Sequence, residues 1–251
     1  MIDVLLPEQL TLGWAFALVI MSFIASAFTV AFGIGGGVAL IAIMLQILPP
    51  AVVIPIHGLV QTGSNAGRAW AMRTHVNVSI LRWFAIGAIV GAIIATQVFF
   101  GLPTRWLTIA LGVFILWSLW GPTFKASSIS DRGFLGVGAV ATFLSVFLGV
   151  AGPIVAAFWN REKLGKEGQV ATHGAVMTLL HSLKCVAFGF LGFAYSEWLP
   201  FIIVMVISGY AGTLVGKKVL SRMDEKSFAI GFKTVLTLLA IRLIWQGLNA
   251  E

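Results

Sequence analysis

No charged residue occurs between Gln9 and Gly67. Further uncharged apolar runs cover 83–104, 106–124, 133–160 and 198–216. A helix needs about 20 such residues to cross the hydrocarbon core of a bilayer. Only 10% of the 251 residues are charged and 59% are hydrophobic, whereas soluble domains carry roughly 25% charge. The period-two alternation of a transmembrane barrel is absent. These runs specify an all-α polytopic membrane protein whose first partner is the lipid bilayer.

The net charge of +7 does not require nucleic acid, because membrane proteins gather Lys and Arg in cytoplasmic loops. Cys185, the single cysteine, excludes an intramolecular disulfide and has no CxxC partner. The N-terminal stretch MIDVLLPEQL contains two acids and no basic residue. It lacks the basic start of a signal peptide, so the first helix is expected to be retained.

Ten apolar segments follow one another, near 11–32, 33–49, 51–72, 79–100, 104–121, 132–149, 149–160, 168–192, 198–217 and 227–248. The polar hinge KASSISDR, residues 125–132, separates two sets of five. The expectation is about 8–10 transmembrane or re-entrant helices. Of sixteen basic residues, eleven fall in four stretches: 73–82, 125–132, 161–166 and 217–226. The positive-inside rule places those stretches in the cytoplasm. Ten alternating crossings then leave both termini outside, which in a bacterial cell means periplasmic ends of an inner-membrane protein.

With that orientation the two halves point in opposite directions, as in an inverted-topology repeat. Residues repeat as well. FGIGGGVAL at 32–40 aligns with LGVAGPIVA at 148–156, an offset of 116. The same offset places His57-Gly58 on His173-Gly174, Asn65 on His181, and Arg68 on Lys184, while Gly91 matches Gly212 at 121. The expected organisation is a first repeat over 1–125 and a second over 126–251, together forming one transport domain.

The segment 149–160 is too short to cross about 30 Å of hydrocarbon. Each half is therefore read as carrying a broken or re-entrant helix, starting at Gly33–Gly37 and at Gly149–Pro153. Pro153 suits a first helical turn. Irregular backbone at membrane depth must line a cavity or be buried in protein, and helix N-termini there favour anions. Gly35, Gly36, Gly37, Gly149, Gly152 and Pro153 are thus candidate substrate-binding positions. The plainer reading is that such glycines only pack helices.

The next helix of each half carries a polar stripe. His57, Gln61, Ser64, Asn65 and Arg68 share one face in the first, and His173, Met177, His181 and Lys184 share one in the second, with Thr172 and Thr178 alongside. Ionisable groups inside a membrane are costly and normally face a cavity. His57, Gln61, Ser64, Asn65, Arg68, His173, Thr178, His181 and Lys184 complete the candidate set. Simpler roles exist: Arg68 as a snorkelling residue, His57 and His173 as packing histidines, and Lys233 and Arg242 as anchors near the ends of the last helix. No Asp or Glu falls within the spans, which argues against a cation pathway.

The repeated Gly-rich starts and the polar helices behind them resemble the sulfite exporter TauE/SafE family (TSUP) along nearly the whole chain. The resemblance implies a bacterial transporter of sulfur-containing anions such as sulfite, thiosulfate, sulfoacetate or other organosulfonates. Working as an exporter, it would use alternating access around a midplane site. The second start reads GVAGP where the first reads GIGGG, so the two need not contribute equally. The alternatives are an anion channel or a cation-coupled importer of the same fold. No cofactor or metal is expected, since His173 and His181 stand about 12 Å apart along a helix. No HExxH or GxSxG motif marks an enzyme.

Overall fold

The computed structural model describes residues 7, 10–32, 35–99, 103–121, 129–159, 161–219 and 225–250. Each expected segment becomes a helix: α1 (Leu12–Phe32), α2 (Gly36–Met44), α3 (Pro50–Ala71), α4 (Val78–Phe99), α5 (Thr104–Trp120), α6 (Phe134–Leu148), α7 (Gly152–Ala156), α8 (Arg161–Phe190), α9 (Tyr195–Val219) and α10 (Glu225–Leu248). The protein is an all-α polytopic membrane protein. No strand occurs among the described residues.

Among the described residues, five stretches have the length and apolar composition to cross a bilayer: four within α1, α4, α9 and α10, and a fifth, Asp131–Leu148, in which a 3-10 turn leads into α6; α5 is a shorter apolar helix. Large side chains such as Ile86, Ile89 and Ile93 on α4 and Ile203 and Ile207 on α9 are exposed. Such apolar outer surface suits lipid as the surrounding solvent. The 22-residue α3 and the 30-residue α8 are long enough to cross, but their polar stripes dilute their apolar character.

The ten alternating crossings used to orient the chain are corrected. With nine and five residues, α2 and α7 extend only about 14 and 8 Å, well short of the hydrocarbon core. The basic stretch 161–166 is not a loop either. It begins α8, and the helix breaks at Gly165, which has φ 65° and ψ 175°. Arg82 lies inside α4, whose first turn is capped by Asn77 Oδ1 accepting from Ile80 N–H at 3.0 Å. Residues 125–128 and 220–224 of the expected basic stretches, and Gly33, lie outside the described residues.

The chain forms two compact units: Met1–His57, Gly101–Pro122 and Ala194–Glu251 make the first, and Gly58–Phe100 and Thr123–Phe193 the second. Each unit draws on both halves of the sequence. Within the first, α1 packs on α9 and α5 on α10. Within the second, α4 packs on α6 and α8.

The α1–α9 and α4–α6 pairs are built at matching positions. A Cβ on Gly212 of α9 would collide with the carbonyl oxygen of Phe23 on α1, and one on Gly91 of α4 with that of Ala139 on α6. Ser208 Oγ donates to Val19 O, and Ser22 Oγ to Met205 O, each at 2.7 Å. In the other pair, Gly87 sits against Leu135 O and Gly138 against Phe84 O. Positions 19, 22 and 23 correspond to 135, 138 and 139 at an offset of 116. Positions 84, 87 and 91 correspond to 205, 208 and 212 at 121. One pair uses glycine for close approach where the other uses a serine hydroxyl to bridge the helices.

Candidate functional site

In the first unit, Gly35, Gly36 and Gly37 open α2. Gly35 caps α2 with φ 108° and ψ −31°, a left-handed conformation open to glycine and strained for side chains. Gly36 is wedged against α1, and a Cβ there would overlap Ala25 O and Thr29 Oγ1. Gly36 is thus committed to packing. Gly37 offers its carbonyl oxygen to the fully buried His57, at 2.9 Å from Nε2. A carbonyl only accepts, so His57 Nε2 carries the proton and donates. The first glycine run is thereby tied to the start of the α3 polar stripe.

In the second unit, Gly149 ends α6 in the left-handed conformation, φ 67° and ψ −19°. Its carbonyl oxygen accepts from Lys184 Nζ at 2.7 Å. Lys184 is fully buried, and no carboxylate pairs with it among the described residues. Pro153 lies in the first turn of α7. Gly152, the counterpart of Gly36, has no atom within 4 Å of the position a Cβ would take. With only five residues, α7 is too short to supply an anion site through its dipole. What this start offers is open space beside Gly152.

Residues 58–71 of α3 and α8 approach each other through two glycines. A Cβ on Gly58 would lie 2.8 Å from Lys184 Cε and from Cys185 Sγ, and one on Gly174 would lie 3.4 Å from Ala69 N. These contacts set residues 58–71 of α3 beside α8. Asn65 Nδ2 donates to Gln61 O at 2.8 Å and to Gln61 Oε1 at 3.3 Å. Gln61 therefore keeps its own amide N–H groups to present. Arg68 has a buried Nε with no hydrogen-bond partner among the described residues. Ser64 is half-buried, and His181 is buried on α8. Thr178 spends its hydroxyl on Gly174 O at 2.7 Å. The buried Thr172 accepts Asn77 N–H at 2.9 Å, fixing the α4 start against α8.

Sequence reasoning missed three residues here. Thr142 and Ser145, fully buried on α6, have hydroxyls without a hydrogen-bond partner. Their spacing of 3, then 4 to Gly149, was a readable signal. Trp159 carried no such signal. It follows α7, packs on Phe134 with ring centroids 5.3 Å apart, and donates from Nε1 to His173 Nδ1 at 3.0 Å. The fourth histidine, His75, lies at the surface, 2.9 Å from Glu167. No group of three metal-ligating side chains occurs among the described residues.

Buried polar side chains in the second unit are thus basic, amide, imidazole or hydroxyl in character, with no acid among the described ones. That inventory can donate to an anion. No curated protein sequence and no solved structure matches the chain. A family model does, that of the sulfite exporter TauE/SafE family, over residues 18–243. This match covers most of the chain, including both glycine starts and both polar helices, and the protein belongs to the sulfite exporter TauE/SafE family.

Proposed function

We propose that the protein exports a sulfur-containing oxyanion, such as sulfite, sulfoacetate or another organosulfonate, across a bacterial inner membrane by alternating access. Membrane transport of sulfur anions is the role of its family, and the finer reading rests on the second unit. The observation that carries it is the set of donors on α3, α6 and α8: Lys184 beside Gly58 and Gly149, His173 about 16 Å further along α8 toward the end of α3 that carries Arg68, and Gln61, Thr142 and Ser145 on α3 and α6. These are buried or half-buried donors without a carboxylate among them. Three sulfonate or sulfite oxygens can share such donors, and charge-assisted hydrogen bonds to them are the strong ones. Gly152 leaves room for an approach that Gly36 does not. Moving one negative charge out of a cell with a negative interior releases about 2.3 kcal/mol per 100 mV, so efflux needs no coupling ion.

A repeat of 1–125 in 126–251 belongs to the same proposal, with its inversion requiring an odd number of crossings in each half. It is supported by the matched α1–α9 and α4–α6 contacts and by the paired glycines at 58 and 174. The clustering of basic residues favours periplasmic termini.

Thermal stabilisation of the purified protein by sulfite, thiosulfate, sulfoacetate, taurine, sulfate and acetate tests the site. A ligand that binds the native state raises its melting temperature by mass action. Stabilisation by a sulfur oxyanion, absent in Lys184→Ala, is expected. No shift with any anion would leave these donors as structural groups only.

A further inference from the structure

His57 and His173 occupy matching positions, yet their rings are held in different ways. His57 gives its Nε2–H to Gly37 O. His173 is held from the other side, because Trp159 Nε1 lies 3.0 Å from its Nδ1. An indole nitrogen is a donor only. Nδ1 must therefore be the bare, accepting nitrogen, and the proton of the neutral ring sits on Nε2. The indole meets the imidazole edge-on, with centroids 5.8 Å apart and planes at 79°, and is itself stacked on Phe134. His173 is nine-tenths buried. Its Nε2 has no hydrogen-bond partner among the described residues.

We propose that Trp159 is a positioning residue that fixes His173 as a neutral Nε2–H donor for the transported oxyanion, while His57 serves as a helix clamp. This deepens the reading of the second-unit site and rests on it. Positive charge comes from Arg68, on the stretch of α3 that meets α8 at Gly174, and His173 adds a directed N–H without a charge of its own. Position 43, the counterpart of Trp159 at the offset of 116, is Ile43, which has no N–H to give. Among the described residues, the indole-to-imidazole hydrogen bond occurs at His173.

The test is ¹⁵N NMR of histidine-labelled protein in nanodiscs, without added anion, on wild type, Trp159→Phe and His173→Gln. The His173→Gln sample identifies the His173 signals. Binding of sulfite and sulfoacetate is then measured on the same samples and on His173→Leu. The wild type is expected to show His173 as the neutral Nε2–H tautomer with a hydrogen-bonded Nδ1. Trp159→Phe keeps an aromatic ring on Phe134 but loses the indole N–H. It should mix the tautomers and weaken anion binding roughly two- to tenfold, as for one neutral hydrogen bond. His173→Gln, which retains an N–H, should bind better than His173→Leu. An Nδ1–H tautomer or a charged ring in the wild type overturns the proposal. So does the expected tautomer combined with unchanged anion binding in His173→Leu. If the tautomer is as expected but the wild type binds neither anion, the oxyanion reading of the site falls and the Trp159–His173 lock remains as a structural feature.

Discussion

Lys184 Nζ donates to the carbonyl oxygen of Gly149 at 2.7 Å, with the lysine fully buried. Gly149 closes α6, so the ammonium is bound at a helix C-terminus, where unsatisfied carbonyls carry the negative end of the backbone dipole. Two of its three N–H groups remain for another acceptor. The lysine thereby ties the second glycine start to α8 and keeps donors for the site.

Lys184→Met should remove that tie and leave Gly149 O buried without its donor, costing roughly 1–3 kcal/mol of stability. It should also abolish stabilisation by sulfur oxyanions. Gly58→Ala, whose Cβ would press on Lys184 Cε at 2.8 Å, should weaken anion stabilisation while leaving the ammonium in place. Thermal unfolding in detergent, with and without sulfite, measures both effects.

Gly91→Ala and Gly212→Ala should each be destabilising by about 1–3 kcal/mol, because the added methyl meets a backbone carbonyl that cannot rotate away. Gly136→Ala on α6, which has no atom within 4 Å of its Cβ position, should stay within about 0.5 kcal/mol of wild type. Equal losses at positions 91 and 212 would accord with one interface used twice. Melting temperature and yield of monodisperse protein are the readouts.

Ser22→Ala and Ser208→Ala each delete an interhelical hydrogen bond between α1 and α9. Such bonds average about 0.6 kcal/mol in membrane proteins. Each variant should show a small drop in melting temperature with transport retained, measured on the same preparations.

The two matching histidines should separate by phenotype. His57→Leu loses the clamp on Gly37 O and should lower stability by roughly 1–3 kcal/mol, with the anion-induced shift preserved. His173→Leu should lose most of the anion-induced shift. Thermal unfolding with and without sulfoacetate distinguishes them, and identical behaviour would remove the distinction between clamp and donor.

Much of this fold was legible in the sequence because lipid imposes simple rules. Uncharged runs marked the helices, and the shortness of 149–160 marked the half-helix that became α7. The FGIGGG stretch marked the start of a short helix, and α2 begins at Gly36. Its individual roles were less visible, since nothing in the local sequence distinguishes Gly36, wedged against Ala25, from Gly152, which faces open space. That difference depends on a neighbouring helix. The stripes on α3 and α8 were readable from spacing alone, whereas the bond from Trp159 to His173 depends on the path of the short α7 segment. The basic stretch 161–166 was read as a loop because charge dominated its composition, yet it begins a helix that breaks at Gly165.

The most direct test is flux of radiolabelled sulfite and sulfoacetate in proteoliposomes under an imposed membrane potential, comparing wild type with the Arg68→Ala/Lys184→Ala double variant. The wild type should carry at least one of these anions toward the positive side, with flux rising with the potential, and the double variant should carry almost none. Wild-type flux in the double variant, or no flux of either anion through the folded wild type, would contradict a sulfur-oxyanion site built on these two cations.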